Sequence, residues 1–456
     1  MSVESEDALG SFKRIIRRPL VKILILGLVI RIILMPLLTY GYDFTHWALT
    51  MQHIQAGHGL YGVDGFWYTP VWGYVLGGMS AFLNLIGMAG YGQLFDAALP
   101  IENLEWFAYT ATLTTLPFNF VVKIPLIITD VIIGYLIYRM IKERTGDEKK
   151  ATYGFALWFL CPLVIYTSAV HGMFDNISVL FMVLSVYALY KGHDFLAGAS
   201  LAVAVLTKMF PAYILFVLIA YLAMKHKGDV RAFVERLSLA AAGLLLMTLV
   251  IYIPQILDGT VIESLRFLTG RVGEATAAPD AGAGVWDALT AFGLKFVLWI
   301  QPLIFLLAAV VAYFMYKKGD GGKDETFFAC LMVTTAIIFL WPPAPQYLLV
   351  TLPFLIFFIA VFDKRFILPF LVITTAALLN NLVTHNFSVL MSLAAYTDLL
   401  DIGYVVSLVA WMQEPLMLGL SRQYVMMILT ASAELIGILM VVLFWLRYNK
   451  EGRTYE

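Results

Sequence analysis

The sequence predicts an all-α polytopic membrane protein, a bundle of about twelve transmembrane helices with interfacial helices in a long first outer loop. Three observations predict it. The chain has 456 residues, 61% hydrophobic and 13% charged, with a mean hydropathy of +0.84, whereas soluble domains hold about 45–50% apolar and about 25% charged residues. Its apolar runs continue for about 20 residues, the length that carries a helix across a bilayer core, and the alternation of a transmembrane β-barrel is absent. Basic clusters recur between these runs at spacings that keep the two sides of the membrane consistent.

Residues 1–19 are polar and carry Lys13, Arg14, Arg17 and Arg18. The run from Leu20 to Thr39 is too long for a signal-peptide core and lacks a small-residue cleavage site, so it reads as a retained first span with a cytoplasmic basic flank. A first outer loop follows, Gly41–Leu116, rich in Tyr, Trp, His and Gly. Within it, the stretch after Asp43, "THWALTMQHIQAG", reads as a helix, and Gly-rich Pro70–Met88 as a helix lying in the outer interface. Further spans are expected at 117–138, 151–170, 174–190, 195–208, 210–224, 237–253, 291–315, 326–343, 347–362, 366–384 and 424–446.

Basic segments at 139–150, 191–194, 225–236, 317–323, 363–365 and from Arg447 onward fall on the cytoplasmic side by the positive-inside rule. Two spans meet at Thr207–Pro211, "TKMFP", where Pro211 cannot continue a regular helix. Such a break suits backbone that lines a wet cavity. The chain thus divides into a cytoplasmic tail (1–19), a catalytic membrane module (20–253, including outer loop 41–116), an outer loop (254–290), a C-terminal membrane module (291–446) and a second tail (447–456). Cys161 and Cys330 both lie in apolar runs and read as buried thiols rather than a disulfide. A net charge of −1 carries no signal for nucleic acid.

The polar chemistry gathers on the outer side. Asp43 stands at the mouth of the first span among Tyr40, Tyr42, Phe44, His46 and Trp47. It is either the N-cap of the following helix within an aromatic belt or a general base facing a cavity. His46 and His53 share a helix face, but no third metal ligand stands at a useful spacing. His171, Asp175 and Asn176 occupy a short turn, where Gly172 could cap one helix and Asp175 or Asn176 the next. Lys208 lies deep in an apolar run, where a charge is costly and functional by default, or else it snorkels from a shallow break. Lys123 sits nearer a span end, where snorkelling explains it. Arg266 and Arg271 bring positive charge to the second outer loop, either to grip phosphate or to pair with Glu263 and Glu274. No Walker, Rossmann, nucleophile-elbow or zinc motif appears, so a donor used on the outer face would arrive through the membrane, as a lipid.

In order along the chain stand Asp43-Phe44, Gly59-Leu60-Tyr61, Trp67-Tyr68-Thr69-Pro70, Cys161-Pro162-Leu163 with Ser168 and Gly172, Lys208-Met209-Phe210-Pro211, and Ala344-Pro345-Gln346-Tyr347 with Leu352-Pro353. This order resembles the GT-C superfamily of polytopic glycosyltransferases that use polyprenyl-phosphate sugars. Within it the chain looks most like the family of GPI mannosyltransferase I catalytic subunits and its prokaryotic relatives. One position departs: that family carries Asp-x-Asp, and here Gly41 replaces the first acid, which disfavours a paired-carboxylate or metal-dependent site.

The resemblance implies an inverting glycosyltransferase on the extracytoplasmic or lumenal face, with Asp43 as catalytic base and a hexose, by family mannose, carried on a polyprenyl or dolichyl phosphate. Arg271, Lys208, Lys123 and His171 are then candidates for the donor phosphate, and Trp67, Tyr68, Asp175, Gln346 and Tyr347 for the sugar or acceptor. The implied partners are a lipid-linked donor and acceptor, with no cofactor and no metal. The rival from another class is a transporter or lipid flippase, for which Asp130 and Glu434 are the clearest intramembrane acids. A non-catalytic scaffold subunit is a third reading.

Overall fold

The protein is described from a computed structural model over residues 18–62, 66, 68–88, 94–98, 112–265, 285–318, 324–340, 344–417 and 419–451. The first span is α1, Pro19–Leu37, opened by a proline in its first turn, where a missing N–H costs nothing. The first outer loop folds into two helices, α2 (Gly41–Gln55) and α3 (Pro70–Leu85). It also holds a short antiparallel pair, Phe95–Ala98 with Thr112–Thr114, which sequence periodicity does not show.

Next comes α4, Leu116–Thr145, 30 residues long. Gly146 ends it in the left-handed conformation, and Asp147 caps α5 (Glu148–Phe159) by accepting the backbone N–H of Lys149 and Lys150. Pro162 then restarts the helix as α6 (Pro162–Ile165), which passes into a π-helical turn, Tyr166–His171. Glu148–Phe159 and Pro162–His171 are bent by 48°, the shape of a broken span or a re-entrant loop.

The remaining helices are α7 (Asp175–Tyr190), α8 (Asp194–Val205), α9 (Leu215–Lys225), α10 (Val230–Asp258), α11 (Val285–Lys318), α12 (Asp324–Ile337), α13 (Leu352–Val361), α14 (Ile367–Thr384), α15 (Met391–Tyr396), α16 (Ile402–Gln413) and α17 (Arg422–Glu451). Among the described residues, five helices are long and apolar enough to cross a membrane: α1, α4, α10, the unit Lys364–Thr384 that contains α14, and α17. Counted as one span, the bent pair makes a sixth. Several expected spans are shorter. The stretches expected at 195–208 and 210–224 are a 12-residue helix and, after a 3₁₀ turn, an 11-residue one. The expected loop start at Pro254 is also displaced, since α10 continues to Asp258.

The packing is that of a lipid-embedded bundle. The main core joins side chains of α4 through α9 with those of α11 to α14 and α17. By contrast, α1 exposes Ile25, Leu26, Val29, Ile32 and Ile33, and α10 exposes Leu245, Leu246, Leu249 and Ile253. Apolar faces of that extent suit contact with lipid. α8 and α10 meet at backbone distance: a Cβ on Gly198 would overlap the Ala240 carbonyl, and one on Gly243 the Phe195 carbonyl. Small residues at such crossings let membrane helices approach. Cys161 and Cys330 are free and buried.

A second, aromatic core lies beneath the first outer loop. Trp47 and Trp72 are 1% and 0% exposed; the Trp72 ring stacks on Phe174 at 4.7 Å, and Trp47 meets Trp72 at 5.5 Å. Rings that could have formed an interfacial belt are therefore buried anchors, and they fix α2 and α3 against the turn before α7.

Candidate active site

The backbone of Tyr40 is extended at the N-cap of α2, and no side chain caps this terminus. Asp43, the third residue of the helix, is thus not its N-cap. Its carboxylate turns inward to His171, whose Nε2 lies 2.7 Å from Asp43 Oδ2. An ionised carboxylate only accepts hydrogen bonds, so Nε2 carries the proton, and Nδ1 of the same ring has no partner. The π-turn positions the imidazole. Gly172 follows it at φ +80°, its N–H returning to the Thr167 carbonyl at 3.0 Å. A Cβ there would overlap the Phe44 ring, so glycine is required both for the backbone and for the approach of α2.

His385 approaches from the far end of the chain, just past α14. Its ring packs edge-on against His171 at 4.4 Å, stacks with Tyr40 at 4.0 Å, and its Nδ1 is 3.1 Å from the Tyr166 hydroxyl. Burial holds His385 well below the usual imidazole range, with His171 adding to this and Asp43 opposing it. Burial also pushes the Asp43 carboxyl up, against the pull of His385, Lys208 and His46.

Lys208 occupies the helix break. Its Nζ lies 4.5 Å from the Phe174 ring centroid, 4.9 Å from Tyr347 and 5.0 Å from Tyr68, a three-sided cage of cation–π faces. Asp175 Oδ1 is 3.8 Å away, too far for a hydrogen bond, and the buried ammonium makes none. Side chains also reach carbonyls at the break: Ser178 Oγ donates at 2.8 Å to Ala204, which accepts the backbone N–H of Thr207 and Lys208 as well, and Thr69 Oγ1 donates to Leu206. Tyr68-Thr69-Pro70, Lys208-Met209-Phe210-Pro211 and Gln346-Tyr347, far apart in sequence, therefore meet at one place. Asp175 is the first residue of α7, whose N-cap is Phe174 with no side-chain cap, so the capping role open to Asp175 or Asn176 is filled by neither.

Behind this site lies a fully buried ion pair that sequence reading passed over. Arg31 Nε and Nη2 donate to Asp130 Oδ2 at 3.1 and 3.0 Å, and Arg31 Nη1 to the Phe159 carbonyl at 2.8 Å. Ser168 Oγ and Asn176 Nδ2 also donate to Asp130. The pair ties α1, α4, the π-turn and α7 together directly beneath His171 and Asp175. Arg31 had a legible signal, an arginine inside an apolar run. His385 and Tyr166 had none, because they belong to the site only by a contact across 219 positions.

Lys123 takes another task. Its ammonium donates to the carbonyls of Met35 and Leu38 and to Thr39 Oγ1 at 2.8, 2.6 and 2.9 Å, closing the C-terminus of α1 with all three of its protons. Gln346 is 5% exposed, its Oε1 without a partner. Arg271 and Trp67 lie outside the described residues, as does Arg266. Among the described residues, no three His, Cys, Asp or Glu side chains gather as metal ligands would.

Residues 105–256 match the model of the dolichyl-phosphate-mannose-protein mannosyltransferase family, a GT-C family. That stretch carries Lys123, Asp130, His171, Asp175 and Lys208. Among solved structures, the chain is similar to ArnT from Cupriavidus metallidurans, crystallised bound to undecaprenyl phosphate. The identity is 13% and the TM-score 0.46, over 91% of this chain and 76% of that one. A search of curated proteins gave no match.

Proposed function

We propose that the chain is an inverting glycosyltransferase that moves a hexose, by family mannose, from a polyprenyl- or dolichyl-phosphate carrier to an acceptor hydroxyl on the extracytoplasmic or lumenal face. The observation that carries this reading is the placement of two oppositely charged groups in one buried site: a carboxylate, Asp43, oriented by His171, and an ammonium, Lys208, with no hydrogen-bond partner of its own.

Chemistry follows from that pair. Asp43 Oδ2 is held by His171, which leaves Oδ1 to take the proton from the acceptor hydroxyl. The hydroxyl oxygen attacks the anomeric carbon from the face opposite the phosphate, the glycosidic C–O bond breaks, and its electron pair leaves with the phosphate oxygen. Charge growing on that oxygen in a dry site needs a fixed cation, which Lys208 supplies. Asp175 holds the ammonium in place before the donor arrives, and Tyr68 and Tyr347 flank the sugar. About 10 Å³ of free space lies beside Lys208 and Tyr347, room for about one water, so the donor enters as one of the caging rings swings aside.

Gly41 beside a single Asp43 favours this one-base scheme over a metal-bridged pair of acids. Of the two acids on which the transporter reading rests, Asp130 is engaged by Arg31, Ser168 and Asn176, and Glu434 accepts from Asn380 Nδ2 at 2.8 Å. The test is Asp43→Asn, which keeps the shape and removes the base. Transfer from radiolabelled polyprenyl-phosphate hexose should drop by about 10²–10⁴-fold at unchanged expression. Transfer near the wild-type rate in that variant would sink the assignment.

A further inference from the structure

One cavity stands apart from Asp43 and Lys208. It is a groove of about 540 Å³ between the C-terminal ends of α2 and α10 and the face of α3. Ile54, on its wall, follows Asp43 by eleven residues on α2, which places the groove about 16 Å along the helix from the proposed base. That is too far for the reacting hydroxyl itself.

The lining has a specific character. Tyr61 and Tyr74 present rings and hydroxyls, and His58, Gln255 and Asp258 add planar hydrogen-bonding groups. Among the described residues, the lining holds no Lys or Arg. The Tyr74 hydroxyl lies 2.6 Å from the Ile251 carbonyl and 2.7 Å from Gln255 Oε1, which locks α3 to α10 and fixes the groove's width. A Cβ built on Gly77 meets nothing within 4 Å, so this helix face opens on the groove.

The groove is also coupled to the donor site. Tyr61 donates its hydroxyl to the Tyr68 carbonyl at 3.1 Å, and the Tyr68 ring is one wall of the Lys208 cage. One residue therefore separates the inner wall of the groove from the cation.

We propose that this groove binds an uncharged saccharide, the part of the acceptor remote from the hydroxyl that reacts. Aromatic faces beside amide, carboxylate and hydroxyl groups suit a neutral polyol. Because the groove and the base are separated along α2, the acceptor must be an oligosaccharide or a glycan-bearing molecule rather than a single sugar. Binding far from the reacting atoms then contributes to catalysis by orientation. The role as acceptor site rests on the glycosyltransferase reading; the saccharide binding itself does not.

The experiment measures binding of neutral hexose oligomers of one to four units, and of the tetramer carrying a sulfate, to the detergent-purified full chain. It compares wild type with Gly77→Trp, Asp258→Asn and Asp43→Asn, with melting curves alongside. Gly77→Trp fills the groove from a position with free space and gains helix propensity over glycine. The expected result is tetramer binding tighter than monomer binding by at least tenfold, equal in wild type and Asp43→Asn, weakened at least tenfold by Gly77→Trp and severalfold by Asp258→Asn. Equal binding in wild type and Gly77→Trp, equal binding of monomer and tetramer, or a preference for the sulfated tetramer overturns the proposal. If Gly77→Trp does not fold, Asp258→Asn decides: unchanged tetramer binding counts against the groove. Failure of the catalytic reading looks different, as transfer that survives Asp43→Asn.

Discussion

His171 Nε2 lies 2.7 Å from Asp43 Oδ2, joining a π-turn to the first helix after the opening span across 128 positions of chain. The bond leaves His171 Nδ1 unpartnered and turns the carboxylate into the site. Its removal should act on chemistry rather than donor binding. His171→Ala is expected to lower kcat by about 10–10² with donor KM within twofold, since a misplaced base loses orientation before it loses basicity. His171→Gln, which retains a donor, should recover part of the rate. A rise in donor KM with kcat intact would instead make His171 a phosphate ligand.

The pH dependence has a definite sign. Asp43 must be ionised to accept a proton, and burial raises its pKa. Activity should therefore fall, as pH decreases, at a higher pH than an ordinary aspartate near 3.9 would give. Stability runs the other way. A group whose pKa is raised on folding contributes stability below its unfolded pKa and loses it as pH climbs through the folded value. Melting curves from pH 4 to 8 should show that contribution fading in wild type and not in Asp43→Asn. A slope equal in both variants would place the titration elsewhere.

Two lysines that look alike in sequence should separate in assay. Lys208 has no hydrogen-bond partner, whereas Lys123 closes the end of α1 with three. Lys208→Met should raise donor KM or lower kcat by about tenfold or more, the loss of one fixed cation at the leaving oxygen. Lys123→Met should lower the melting temperature, because carbonyls of buried residues lose their donor. A Lys208 variant with unchanged donor kinetics would remove it from the phosphate role.

The Arg31–Asp130 pair gives a stability test with an internal control. Each partner is 0% exposed. Asp130→Asn or Arg31→Met should destabilise by about 3–5 kcal/mol, because an uncompensated charge stays buried. Arg31→Met with Asp130→Leu removes both charges and should regain much of that loss. If the double variant is as unstable as the sum of the singles, the pair is not acting as a closed electrostatic unit.

Much of the site was legible, and the reason differs by residue. Asp43 stands out because an acid among aromatics at a span end departs from its surroundings, and Lys208 because a cation in an apolar run is costly. The break at Pro211 follows from the proline ring, which removes a donor wherever it sits in a helix. The capping roles open to Asp43 and Asp175 were also sound local chemistry, but burial against His171 and Lys208 overrode them. His385 and Tyr166 could not be found this way.

By itself, the sequence determined the membrane class, the broken helix and the residues whose charge conflicts with their surroundings, because hydropathy, proline geometry and desolvation act on a few neighbouring positions. The tertiary structure decided the rest: that Asp43 meets His171 and His385, that Lys208 faces three rings contributed by three segments, that Lys123 serves a helix end, and that a groove opens between α2, α3 and α10. Those outcomes depend on which helices pack together. In a bilayer that choice is made by close fit and satisfied polar groups between distant segments, such as Gly198 on Ala240 and Arg31 on Asp130, rather than by any local pattern.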